Sequence, residues 1–220
     1  SCIMPLLLPP GADGRRSFDD TIGNKRLKMD LEAAVVLPDA RVLAFGSGST
    51  RARERIVVVE SETGVQGRRA PGLYSRLRKH CETVGTELNI EGAVVQGDRL
   101  RLFQRGNGAR VTDGRSGSLV FDLDLARFLR WLASRGPVRD IIDVLEVDLG
   151  KVKGVPFGFT DAAVAADGRI AFVACAEESV NVRGDGPVLG CRFGWLDDRG
   201  AQVTDVIERD GRATPLKLEG

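Results

Sequence analysis

Short apolar runs, closed off by turn residues, recur along the chain and predict strands. In order they read "AAVVL" (33–37), "RVLAFG" (41–46) and "RIVVVE" (55–60); then "AVVQ", "RLRLFQ" and "SLVFDL"; then "AAVA", "RIAFVACA", "CRFGWLD" and "AQVTDVIE". The runs are β-branched and short, and consecutive runs are close enough to pair as hairpins of a meander. Two stretches break the pattern. "GLYSRLRKHC" (72–81) and "DLARFLRWLASRG" (124–136) space their apolar residues three to four apart, which predicts two short amphipathic helices, the second stopped by Gly136-Pro137.

The strand pattern repeats as a unit. "DLEAAVVLPDARVLAFGSGS" starts at Asp30, "NIEGAVVQGDRLRLFQRGN" at Asn89 and "FTDAAVAADGRIAFVACAEE" at Phe159. Each has an acid (Glu32, Glu91, Asp161), a valine three residues later (Val35, Val94, Val164), a turn, and an arginine (Arg41, Arg99, Arg169). "LKLEG" at the end opens like a further copy on Glu219 and Gly220, so units begin near 30, 89, 159 and 217. A supersecondary unit recurring at this scale predicts an all-β repeat architecture, a β-propeller domain with about three blades, the start of a fourth and an incomplete ring. Equivalent positions of innermost strands line a propeller's central channel, so the three acids are expected to face one another at its mouth, with the valines in the apolar layers between blades.

Composition narrows the function classes. Lys+Arg 32 against Asp+Glu 31 leaves a net charge of +1, and there is no block of five or six like charges, which argues against nucleic acid as a partner. The longest apolar stretch, "IMPLLLPP" (3–10), is far short of a membrane span. Nor does the start have the layout of a secretory signal, so a cytoplasmic location is the expectation. The four cysteines form no C-x-x-C pair and read as buried thiols, with a Cys175–Cys191 disulfide as the alternative in an exported protein. His80 is the sole histidine and sits in a basic helix face, a poor basis for a Ser-His-Asp site. "GSGST" (46–50) lacks the Gly-Lys-Ser/Thr ending of a phosphate loop and reads as a hairpin loop.

Carboxylates brought together repel and raise one another's pKa, so the acids need company. Three kinds are open: amides or arginines of the neighbouring unit, a cationic or sugar-like ligand, or a hard cation such as Ca²⁺. For a metal the candidate ligands are Glu32, Asn89, Glu91 and Asp161. Arg105, Asn107 and Glu177 fall after the second strand of their units and are candidate ligand-binding residues at the mouth, with Arg105 able to clamp an anion or to bridge two loops.

"GNKRLKMDLEA", "GSGSTRARER", "ELNIEGAVV", "LFQRGN", "GFTDAA" and "DGPVLG" resemble the landmarks of a bacterial propeller domain family of unknown function. The "IEGAV" opening is also similar to the strand start of phytase-like esterases and gluconolactonase-type propellers, whose corresponding acids bind a divalent metal. Three acids without a histidine or a metal motif specify no chemistry, so the favoured reading is a non-catalytic propeller that binds a small molecule or protein on its loop-bearing face. The alternative, which the resemblance implies, is a divalent-metal-dependent hydrolase of a phosphoester, lactone or related ester with the acids as metal ligands.

Overall fold

The computed structural model describes residues 7–60, 64–106, 117–134, 143–179, 186–197 and 200–219. Three four-stranded antiparallel meanders follow one another along the chain, each with its strands in sequence order. The first comprises β1 (Leu31–Val36), β2 (Val42–Gly46), β3 (Arg55–Glu60) and β4 (Gly64–Arg69). The second comprises β5 (Ile90–Gln96), β6 (Arg99–Gln104), β7 (Ser118–Asp124) and β8 (Asp143–Val147). A two-stranded ribbon, β9 (Lys151–Val152) with β10 (Val155–Pro156), leads to the third, β11 (Gly158–Val164), β12 (Ile170–Glu177), β13 (Val188–Asp197) and β14 (Gly200–Val203). A second ribbon, β15 (Glu208–Arg209) with β16 (Arg212–Ala213), precedes the segment 214–219. No sheet among the described residues closes on itself.

Both expected helices are present. Helix α1 (Pro71–Thr83) starts on a proline, which fits a first turn whose N–H groups have no intrahelical partner. Its Tyr74 is buried and donates its hydroxyl proton to a contact shared by the carbonyls of Gly46 and Arg55, while Arg78 reaches Glu54 at 2.9 Å; together these hold α1 to the first sheet. Helix α2 (Leu125–Ser134) buries Leu125 and Phe128, and Arg68 of β4 donates to the carbonyls of Trp131 and Leu132.

The second sheet is apolar on both faces because it separates two cores. Leu100, Leu102 and Phe121 join Leu43, Phe45, Ile56 and the helices on one side. Val94, Phe103 and Val120 join Phe157, Phe159 and Phe172 on the other, with Phe103 and Phe159 edge to face at 5.1 Å. Alternation along a strand sends neighbours such as Leu102 and Phe103 to opposite faces. The first strands of the three sheets lie against one another in turn, β1 on β5 and β5 on β11. Gly92 permits this approach: a Cβ there would stand 3.1 Å from the backbone nitrogen of Ala162.

The registers correct one feature of the repeat. In β1 the pairing jumps from Leu31↔Gly46 to Ala33↔Phe45, making Glu32 the extra residue of a bulge. Glu91 is the extra residue in β5, between Ile90↔Gln104 and Gly92↔Phe103. In β11 the jump falls between Phe159↔Ala174 and Asp161↔Val173, so the residue equivalent to Glu32 and Glu91 is Thr160. Asp161 stands one place further along. A one-residue shift reverses every side chain beyond it. That is why Val164, expected in an apolar layer with Val35 and Val94, is exposed, whereas Val94 is buried and Val35 partly so.

The cysteines also differ from the reduced-thiol expectation. Cys175 and Cys191 sit opposite one another in the β12–β13 pair and are joined as a disulfide. The free thiol of Cys81 is buried in the first core, which pushes its pKa up to about 12 and leaves it inert.

Candidate functional site

The bulges do more than mark a register. An extra residue re-aims its side chain out of the ladder, and at the starts of β1 and β5 it turns Glu32 and Glu91 toward a shared cavity of about 410 Å³. Thr160 and Asp161 of β11 line the same cavity, and so does Glu219. The expected gathering of Glu32, Glu91 and Asp161 is therefore seen in space, although their equivalence in register is not. Glu219 arrives as the sequence pattern suggests: Thr160 Oγ1 donates to the Leu218 carbonyl at 2.6 Å, seating the fourth opening beside the third sheet.

Each acid has its own surroundings. Glu91 is buried, accepts from Asn89 Nδ2 at 2.6 Å, and has Arg105 Nη1 at 3.5 Å. Loss of hydration is the dominant effect on its carboxyl and raises the pKa to about 7; Arg105 and Lys217 oppose that rise, and Glu219 adds to it. Glu32 is solvent-accessible but set in a concave wall. Partial desolvation raises it, again to about 7, with the neighbouring charges of Asp30 and Glu91 adding to the effect. For Asp161 desolvation also comes first, and Glu219 pushes the same way, so its pKa too is raised.

Beside the cavity lie the fixed charges. Arg105 is buried and bridges two sheets, with Nη2 at 2.5 Å from Glu177 Oε2 and Nη1 toward Glu91. Glu177 also accepts the Gly186 amide at 2.8 Å. Desolvation alone would raise its pKa, yet this amide and Arg105 outweigh that and hold it below the ordinary value. The same arginine leaves Glu91 raised and Glu177 lowered because Glu91 loses more of its hydration, while Glu177 has the Gly186 amide in addition to the nearer contact with Arg105. Under the first sheet, Asp30 plays the corresponding part: Arg53 at 2.6 Å, Lys28 at 2.9 Å and Ser47 Oγ at 3.3 Å hold it ionised against burial.

Among the residues singled out from the sequence, Arg105 and Glu177 are thus buried and engaged with each other, which makes them supports of the site. Asn89 orients its amide nitrogen toward Glu91. Asn107 lies outside the described residues. His80 is on α1, its ring 6.3 Å from that of Phe121 and away from the cavity. Asp30, Thr160 and Lys217 carry weight that the motif reading did not give them. For Asp30 a signal was present: it immediately precedes the first opening, "DLEA". A larger cavity of about 560 Å³ lies elsewhere, between β4 and α2. Two of its arginines have structural duties, Arg68 on the carbonyls of α2 and Arg41 on Asp39 at 2.8 Å.

A directly coordinated metal needs several oxygens converging at about 2.3–2.6 Å for Ca²⁺. Among the described residues no group of three His, Cys, Asp or Glu side chains is drawn close enough to hold an ion. No helix among them is long and apolar enough to cross a membrane.

No curated protein matches the chain. A family model does, over residues 24–220, a span that holds all three meanders, the acid-lined cavity and the Arg105 bridge. The chain belongs to that family, DUF6910, a family of unknown function.

Proposed function

We propose that the protein is a propeller-type binding domain that captures a cationic, hydrogen-bonding ligand, such as an organic polyamine, at the acid-lined mouth formed by its inner strands. One observation carries the reading: Glu32, Glu91, Asp161 and Glu219, from four separate stretches of chain, line a single cavity. Successive four-stranded meanders with their first strands packed side by side support the propeller-type arrangement. An ammonium group donates several hydrogen bonds in different directions and suits carboxylates set around a cavity, whereas a bare metal ion needs them drawn together. Lys217, with its ammonium at 2.5 Å from Glu219, already satisfies one acid in this manner. The metal-dependent hydrolase gains no comparable support, since no three acidic, histidine or cysteine side chains among the described residues are drawn close enough together to hold an ion.

Titration calorimetry with spermidine and, separately, with Ca²⁺ tests the reading. Spermidine is expected to bind, and Glu32→Gln with Asp161→Asn to weaken it at least tenfold. Affinity is expected to rise between pH 6 and 8, because Glu32 and Glu91 lose their protons near pH 7 and only then attract a cation. Tighter binding of Ca²⁺ than of spermidine, with metal-dependent cleavage of a phosphoester or lactone, would favour the hydrolase instead. Binding of neither would remove the mouth as a cation site.

A further inference from the structure

The segment 214–219 lies across the disulfide. The Leu218 amide donates to Cys175 Sγ at 3.3 Å, the Leu216 carbonyl stands 3.4 Å from Cys191 Sγ, and Thr160 holds the Leu218 carbonyl. Both sulfur-bearing residues are almost completely buried, Cys175 at 1% exposure and Cys191 at 0%. The same segment carries Lys217 and Glu219 to the acid-lined mouth.

We infer that the Cys175–Cys191 disulfide and the segment 214–219 form a redox-sensitive strap: the oxidised pair is the platform on which the segment docks, and reduction releases it. Two features of the site carry this. First, bonded sulfurs occupy less room than two thiols, which must separate to a non-bonded distance. Cys175 and Cys191 face one another across fixed strands, so the added volume pushes against the segment that covers them. Second, a reductant must reach a sulfur before it can react, and the covering segment must lift for that to happen.

The reaction is an ordinary exchange with a dithiol. One reductant thiolate attacks a cysteine sulfur, and the other cysteine leaves as thiolate and takes a proton. The second reductant thiol then displaces the mixed disulfide, so the protein gains two electrons and two protons while the reductant becomes a cyclic disulfide. Protection and docking are linked: what holds the strap down slows reduction, and what reduces the pair frees the strap. An oxidising compartment keeps it docked, and a reducing cytoplasm opens it. The consequence for ligand binding rests on the cation reading above, since an open strap withdraws Glu219 from the mouth; the docking itself does not.

Amide hydrogen exchange of the wild-type protein, oxidised and after treatment with dithiothreitol, tests the docking directly. The Leu218 amide should exchange at least tenfold faster in the reduced protein, while amides in the middle of β5 and β6 keep their protection. Thr160→Val, which removes one anchor of the strap, should speed disulfide reduction at least fivefold with little dependence on urea, and Thr160→Ser should restore the slow rate. Equal protection of Leu218 in both states would overturn the inference, as would reduction that proceeds only with the strong urea dependence of global unfolding. Because neither readout contains a ligand, failure of the strap is distinguishable from failure of the cation site.

Discussion

Arg105→Met is expected to cost about 3–5 kcal/mol of stability at neutral pH, the range for removing one partner of a buried ion pair. The substitution keeps the unbranched bulk and deletes the charge. It leaves Glu177 and Glu91, one from each of two sheets, without their common cation. Protonation softens this loss. Glu91 already has a raised pKa, so its contribution to stability is complete below about pH 4.5 and is lost as the pH rises through about 7. Glu177 has a lowered pKa, so in the wild type its contribution is present above the ordinary carboxylate range and is lost as acid protonates it. Without Arg105 the pKa values of both acids rise, although Glu177 keeps the Gly186 amide, and the deficit measured by urea denaturation should be larger at pH 8 than at pH 5. A deficit below about 1 kcal/mol at both would place Arg105 among exposed ion pairs.

The second large effect concerns the backbone that lets Arg105 pass. Gly158 opens β11, and a Cβ on it would stand 2.0 Å from the Arg105 carbonyl oxygen and 2.7 Å from its Cγ. Neither can retreat, since Arg105 Cγ leads to the buried bridge and its carbonyl accepts Ser118 Oγ at 3.2 Å. Gly158→Ala should therefore destabilise by at least about 3 kcal/mol, at the upper end of overpacking, or prevent folding. Gly97→Ala is the contrast. Nothing lies within 4 Å of its Cβ position, and only the positive φ of 60° opposes a side chain, a cost of about 1–2 kcal/mol. Equal effects from the two substitutions, read from denaturation midpoints, would mean that the third sheet does not press on Arg105 as described.

The strands that carry the site were legible because apolar residues and turn residues alternate cleanly there. At the Pro38-Asp39 and Asp167-Gly168 turns the recurring arginine also has a visible reason: Arg41 and Arg169 each bond the aspartate two residues back. The outer strands were harder to read. β4 is "GVQGRR", with two glycines and several polar residues, and it leans on Arg68 and α2 more than on alternation. β8, "DVLEV", pairs with β7 across the intervening α2, and a five-residue strand separated from its partner by a helix carries little local signal.

The site itself was half legible. The acids at strand starts do meet in one cavity, as their repetition suggested. The equivalence of Asp161 with Glu32 and Glu91 was misleading, because a bulge is a matter of backbone pairing and "FTDAA" resembles "IEGAV" most closely when it is displaced by one residue. Arg105 carried two possible roles in the sequence, clamp or bridge. Only the proximity of Glu177, 72 residues away, decides for the bridge. The disulfide was open for the same reason, since spacing alone does not place Cys175 opposite Cys191.

Carboxylates from separate strand openings share one electrostatic environment. Carboxyl-carbon NMR titration of the wild type and of Glu219→Gln tests it most directly. In the wild type Glu32 and Glu91 should titrate near pH 7 and Asp161 above the ordinary aspartate value. In Glu219→Gln the pKa values of both Glu91 and Asp161 should fall, because the charge of Glu219 raises each of them from its place in the cavity. Three acids titrating in the ordinary carboxylate range of about 4, unmoved by the loss of Glu219, would contradict the shared site.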